Sequence, residues 1–301
     1  MRKIRIAGIP TGRITGGSVR IRYYTFLSAL DKSEFEIVDN CKDADIFYVQ
    51  KKSTKDVIEL VKELKKKGIK IVYDLDDGDG YRDKKDRYDK KMFALADAIT
   101  TDTRMRAEAF RKKTDKPIHV VQDCIDYGIK FEDRIDIREK IICGGTFGTH
   151  KVLEATYDQA NYVLNSAKKE YVTDRKIIKY NNWEWKKWSL DTFVNILKKW
   201  DICVLAHPKN DIGGMKSNNR LLVCMALGIP TFVSNTFAYS NTMKAMGFEW
   251  LIVYQNILPV AALFDPIMRK SVSTKMHMYA WENYSPEISG KQLENVFRSV
   301  L

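Results

Sequence analysis

No stretch of the 301 residues approaches the roughly 20 uncharged apolar residues a membrane span needs, and the N-terminal MRKIRIAGIPTG lacks the apolar run of a secretory signal. These absences predict a soluble, cytoplasmic protein. Cysteine is sparse and scattered: Cys41, Cys124, Cys143, Cys203 and Cys224 form no Cys-x-x-Cys pair, which argues against a disulfide framework or a zinc knuckle. The four histidines, His119, His150, His207 and His277, are equally dispersed, and no metal is expected. Proline (7) and glycine (16) are too few for a disordered chain, while 45% hydrophobic and 11% aromatic residues supply a core. Acid is missing at the start, where Arg2, Lys3, Arg5, Arg13, Arg20 and Arg22 all precede the first aspartate, Asp31. Over the whole chain 51 Lys and Arg face 39 Asp and Glu, a formal charge of +12 that favours an anionic partner such as a nucleotide, nucleic acid or acidic lipid.

Short β-branched runs alternate with charged amphipathic stretches: KIRIAGI, FEIVD, ADIFYVQ, TKDVIELVKELKKKG, IKIVYDLD and PIHVVQD. Strands separated by helices of this length predict βαβ units around a parallel sheet. Val57, Leu60, Val61 and Leu64 recur at helical spacing, and Gly68 stands where a helix C-cap is expected. The polar, aperiodic segment Tyr127 to Arg138 reads as a linker. A second alternation follows through KIICGG, KIIKY, WDICVLA and IPTFVSN. The expected architecture is therefore two Rossmann-like α/β domains with parallel sheets facing a cleft, over 1–137 and 138–285, with a terminal helix over 286–301. Ligands of such sheets bind beyond the strand C-termini.

Three segments carry the candidate chemistry. After the first strand, the loop with Gly16 and Gly17 leaves backbone open to a ligand, and Arg13, Arg20 and Arg22 around it are candidate phosphate or acceptor contacts. It is neither a G-x-G-x-x-G fingerprint nor a P-loop. The second half opens similarly with Gly144, Gly145, Thr146 and Gly148, read as an exposed glycine-rich loop. The sharpest feature is Lys216-Ser217-Asn218-Asn219-Arg220-Leu221-Leu222, followed by Met225-Ala226-Leu227-Gly228-Ile229-Pro230. Leu221, Leu222, Met225 and Ala226 make one apolar helix face, which leaves Lys216 and Arg220 one turn apart at the helix start. With Ser217, Asn218 and free N–H groups they suit a diphosphate.

These residues resemble the donor domain of GT-B glycosyltransferases of the glycogen-synthase-like superfamily: a strand WDICVLAHP, a polar loop, a helix ending MALGIP, then TFVSN. ADIFYVQ, YDLDD, LADAITTDT and HVVQDCIDY resemble the N-terminal domain, and WENYSPEISGKQLENVFRSVL resembles the last helix of that fold, which crosses back to the first domain. The resemblance implies a nucleotide-sugar donor, UDP-linked, bound by Lys216, Ser217, Asn218, Arg220, Gly144, Thr146, Gly148, Gly16 and Gly17, with no further cofactor. One departure stands out. Glutamates often found eight positions apart in this superfamily fall on Met215 and Val223, so the ribose contact differs and the stereochemical outcome is not inherited.

Asp74, Asp76, Asp77 and Asp79 follow the strand ending in Tyr73. Asp76 or Asp77 is the candidate general base toward an acceptor hydroxyl, with Asp74 as an acceptor contact. The same Asp-x-Asp resembles the nucleophile motif of haloacid-dehalogenase-like phosphatases and the metal-binding motif of GT-A enzymes. Further cations among aromatics, Lys179, Lys186 and Lys187 beside Tyr180, Trp183, Trp185 and Trp188, can stack on bases or fill a core. A short GT-B chain basic throughout resembles the bacteriophage enzymes that glycosylate hydroxymethylated pyrimidines in DNA, so double-stranded DNA carrying such bases is the expected acceptor. A surface glycan, lipid or protein acceptor is the alternative, and a non-catalytic DNA-binding module of the same fold is the reading from another class.

Overall fold

A computed structural model describes residues 2–76, 86–126, 128–133, 135–164, 167–207, 215–253 and 260–301. The chain divides into two compact units, Met1–Tyr127 with Ser285–Leu301, and Gly128–Tyr284. Residues 128–137 thus group with the second unit.

The first unit is built on six strands: β1 (Ile4–Ile9), β2 (Phe35–Ile37), β3 (Ile46–Gln50), β4 (Lys70–Asp74), β5 (Ala98–Thr101) and β6 (Ile118–Val120). They pair in the order β2-β1-β3-β4-β5-β6, every pair parallel. Parallel pairing forces helices onto the sheet faces, and β3 and β4 accordingly carry almost uninterrupted apolar side chains. The helix Lys55–Lys66 shows how the sequence encodes this. Val57, Ile58, Val61 and Leu64 are buried, Asp56 and Lys65 and Lys66 complement the helix dipole, and Gly68 at φ +82° closes the end through Ile69 N–H to the Leu64 carbonyl.

The C-terminal helix Pro286–Ser299 returns to this first unit, as the resemblance implied. Leu293, Val296 and Phe297 join its core with Phe35 and Tyr48. Gly290 permits the close approach, since a Cβ there would stand 2.7 Å from the Ala29 carbonyl oxygen. The Ser289 hydroxyl donates to the Gln122 carbonyl, and Glu294 accepts from Asp31 N–H.

The second unit holds β7 (Cys143–Phe147), β8 (Lys168–Thr173), β9 (Glu184–Lys187), β10 (Ile202–Leu205), β11 (Thr231–Ser234) and β12 (Ile252–Val253). They are again all parallel, in the order β12-β11-β10-β7-β8-β9. Counted from β7 this is 3-2-1-4-5-6, the Rossmann order, whose direction of winding reverses between β7 and β10. The ligand crevice of such a sheet lies outside the strand C-termini at that reversal.

The aromatics around Lys179 resolve into a core. Tyr180 and Trp183 are buried, with ring centroids 5.0 Å apart, and Tyr171 and Tyr157 each lie 4.7 Å from Tyr180. The neighbouring cations are ion-paired, Lys179 with Asp158, and Lys186 with Glu184.

Candidate functional site

At the reversal of the second sheet, β7 ends at Phe147 and turns through Gly148 into the helix His150–Val163, while β10 ends at Leu205 and continues as Ala206-His207. The helix Asn219–Ala226 buries Leu221, Leu222 and Met225, and this fixes which way its first turn points. From that turn Arg220 spans the reversal. Its Nη1 donates to the Phe147 carbonyl at 2.8 Å and its Nη2 to the Ala206 carbonyl at 2.9 Å. Nη2 also lies 3.1 and 3.0 Å from Nδ1 and Nε2 of His207. Gly148 makes this possible, because a Cβ there would stand 2.7 Å from Nη1.

Every one of these acceptors is uncharged. Burial, and then the charges of Arg220 and Lys216, push the His207 imidazole down to about 2, so the ring is neutral and offers a lone pair to Arg220. The main-chain N–H of His207 donates to the Ser234 hydroxyl at 3.0 Å, and the ring packs at 5.1 Å against Tyr239. Carbonyls and a neutral imidazole orient the guanidinium without cancelling its charge. Lys216 and Ser217 stand half-buried just before the helix, and Asn218 donates through Nδ2 to the Thr242 hydroxyl at 3.1 Å. Lys216, Ser217, Asn218, Arg220 and Gly148 are therefore brought to one sheet edge.

Two expected members are not exposed there. Gly144 and Thr146 lie within β7, buried, because the glycine-rich segment is a central strand rather than a loop. A Cβ at Gly144 would stand 2.5 Å from Leu164 Cδ2, and one at Gly145 would stand 2.2 Å from Trp200 Cε2. These glycines make room for side chains packed over the strand.

In the first unit the loop with Gly16 and Gly17 is exposed, and Arg13 with it. A side chain at Gly17 would meet nothing within 4 Å, so no protein neighbour demands that glycine. The arginines after it are a correction. Arg20 Nη2 pairs with Asp126 at 2.5 Å, and Arg22 lies fully buried between Asp74 and Asp123, 2.6 and 2.9 Å away. Arg22 also donates to the Val121 carbonyl. Guanidinium groups committed in this way have no donors to offer a phosphate.

Asp74 is corrected by the same contacts. It is fully buried, accepts from Arg22 Nε and Nη2, and accepts from the Thr100 hydroxyl at 2.7 Å. A carboxylate so saturated can neither attack phosphorus nor ligate a metal, which removes the phosphatase and GT-A readings of the Asp-x-Asp. Asp76 is nearly buried and ion-paired with Lys51 Nζ at 3.0 Å, and Lys51 also donates to Ser18. Asp77 lies outside the described residues. Among the described residues no group of three His, Cys, Asp or Glu could hold a metal, and no helix is long and apolar enough to cross a membrane.

In the sequence His207 figures only as one of four dispersed histidines and as part of WDICVLAHP, with no role of its own. Its signal is a polar side chain directly after an apolar strand, in AHP, at the strand next to the reversal.

The two parallel six-stranded sheets and the returning C-terminal helix make this a GT-B fold. No protein-family model and no curated protein matches the chain. Among solved structures, Anabaena Alr3699/HepE in complex with UDP is similar at a TM-score of 0.68 and 11% identity, over 99% of this chain and 100% of that one. A structure of E. coli trehalose-6-phosphate bound with UDP-2-fluoro glucose is similar at a TM-score of 0.62 and 9% identity, over 99% of both chains. The α,α-trehalose-phosphate synthase (UDP-forming) of Burkholderia vietnamiensis follows at 0.53 and 10%, over 84% of this chain and 74% of that one.

Proposed function

We propose that this chain is a glycosyltransferase that takes a sugar from a nucleoside-diphosphate donor, UDP-linked, and passes it to a hydroxyl acceptor. The observation that carries the reading is Arg220, a half-buried cation at the sheet reversal whose hydrogen-bond partners among the described residues, the Phe147 and Ala206 carbonyls and the His207 ring, are neutral. A guanidinium oriented by neutral groups at that place suits a diphosphate, both in binding the donor and in stabilising the charge that develops on it as the sugar departs. Lys216, Ser217, Asn218 and the backbone at Gly148 complete the donor contacts. Asp76 is the carboxylate offered to the acceptor hydroxyl, with Lys51 fixing its position. The UDP complexes of the similar structures favour uridine as the nucleoside.

Hydroxymethylated DNA remains the finer proposal for the acceptor, and it rests on positive charge alone. Much of that charge is compensated: Arg2 and Arg5 pair with Asp45, Arg20 with Asp126, and Arg22 with Asp74 and Asp123. Calorimetric titration with UDP tests the donor site. Arg220→Met should weaken binding by roughly ten- to a hundredfold, as for hydrogen bonds to a charged group, and unchanged affinity would refute the assignment. Turnover of UDP-glucose with plain and hydroxymethylated DNA, nucleosides analysed by mass, tests the acceptor. Absence of sugar on the modified base refutes DNA and leaves the donor reading intact.

A further inference from the structure

His207 is buried, neutral and in contact with the one side chain on which the donor reading turns. Arg220 has one anchor on each side of the sheet reversal, the Phe147 carbonyl on β7 and the Ala206 carbonyl after β10. Two carbonyls on different nitrogens fix the guanidinium within its plane and leave it able to tip about the line that joins them. The third anchor is the imidazole, within 3.1 Å of Nη2 at either ring nitrogen. The residue is held by its main-chain N–H on Ser234, and the imidazole packs against the ring of Tyr239.

We propose that His207 is a positioning residue for the donor diphosphate, its uncharged ring accepting from Arg220 Nη2 and turning the remaining N–H groups of the guanidinium toward the ligand. The proposal rests on the donor reading above. A carboxylate in this place would hold Arg220 as firmly, yet it would neutralise the charge the diphosphate needs. A protonated imidazole would have no lone pair and would repel the guanidinium and Lys216. An aliphatic side chain would fill the space and leave Nη2 short of an acceptor. Among these, the neutral imidazole alone orients the cation and preserves its charge.

The experiment is a double-mutant cycle on UDP affinity with a ligand-free readout beside it. In the parent chain, His207→Phe should weaken UDP binding roughly tenfold, the worth of one hydrogen bond to a charged group. His207→Gln, which keeps a neutral acceptor, should recover most of that loss. In an Arg220→Met background His207→Phe should cost nothing further, because the role of His207 passes through Arg220. Nitrogen-15 spectra of the arginine side chains, without ligand, should show slow Nη exchange for Arg220 in the parent and fast exchange in His207→Phe. A His207→Phe loss that persists in the Arg220→Met background overturns the proposal, and so does unaltered Arg220 exchange. If neither parent nor variants bind UDP, the donor reading falls and takes the ligand part of the proposal with it. The exchange spectra then still decide whether His207 orients Arg220.

Discussion

Glycines three positions apart in one segment should fail in opposite ways when a methyl group is added. At Gly148 the new Cβ would stand 2.7 Å from Arg220 Nη1 and 3.6 Å from Leu153 Cδ2. The obstructing atom is the tip of a flexible side chain, so the backbone stays in place and the guanidinium moves off the Phe147 carbonyl. Gly148 also sits at φ +159°, where a side chain strains the backbone, so Gly148→Ala should lower the unfolding midpoint less than Gly145→Ala does and weaken UDP binding by about tenfold, one charged hydrogen bond's worth. At Gly145 the Cβ would stand 2.2 and 2.3 Å from Cε2 and Cζ2 of Trp200. That indole is 4% exposed, and its Nε1 donates to Glu170 at 3.0 Å, so it cannot yield without breaking the bond. Overpacking of this severity costs about 3 kcal/mol. Urea unfolding followed by tryptophan fluorescence should then shift by about 1 M or more for Gly145→Ala. Calorimetry with UDP on both variants completes the comparison. A Gly148→Ala protein that binds UDP like the parent, or a Gly145→Ala protein equally stable, would refute the reasoning.

Removing Arg22 should unfold the first unit at much lower denaturant. Arg22→Met strands Asp74 and Asp123 in the interior and should cost about 3–5 kcal/mol in urea unfolding, whereas Arg13→Met on the exposed loop should cost almost nothing. Phe297→Ala should cost about 3–5 kcal/mol, read by the same assay, because the ring packs 5.8 Å from Tyr48 and 6.2 Å from Phe35 in the core. The depressed His207 gives an acid dependence with a definite sign. The folded ring stays neutral down to about 2, while an unfolded histidine takes a proton near pH ~6.5, so its contribution is fully present above that pH and is lost on acidification. Denaturation at pH 7.5 and 5.5 should show a smaller acid loss in His207→Gln than in the parent, and equal losses would contradict the assignment.

Elements with local causes were legible in the sequence. The helix Lys55–Lys66, its glycine stop, the parallel strands and the helix Asn219–Ala226 all follow from periodicity and caps within a few residues. What misled had distant causes. A Gly-Gly pair read locally is a loop, yet β7 needs Gly144 for Leu164 and Gly145 for Trp200, partners that only the folded sheet brings over it. The arginines after β1 looked exposed because Asp74, Asp123 and Asp126 lie far along the chain. Lys216 and Arg220 come close together because only a few residues separate them around the start of the helix Asn219–Ala226. His207 was invisible because its role depends on burial and on a partner across the helix turn.

A cation is available to a ligand only if its own contacts leave the charge uncancelled and its donors within reach, and Arg269 separates the two conditions. Like Arg220, it is held by main-chain carbonyls, those of Leu263, Phe264, Arg138 and Glu139. Unlike Arg220, it is fully buried, and its Nη atoms spend four hydrogen bonds tying the start of the helix Pro266–Tyr284 to residues 138 and 139. Neutral partners alone therefore do not make a binding site, just as the buried pairs of Arg20 and Arg22 show that positive charge alone does not. Arg269→Met should reduce stability by a few kcal/mol, since it orphans buried carbonyls, and should leave the UDP affinity of the folded protein unchanged. Arg220→Met also orphans the carbonyls of Phe147 and Ala206, but beyond any loss of stability it should weaken UDP binding roughly ten- to hundredfold in the folded protein. If both substitutions lowered affinity in proportion to stability, the distinction between an anchoring and a ligand-facing guanidinium would fail, and with it the ground for placing the donor at the β7–β10 reversal.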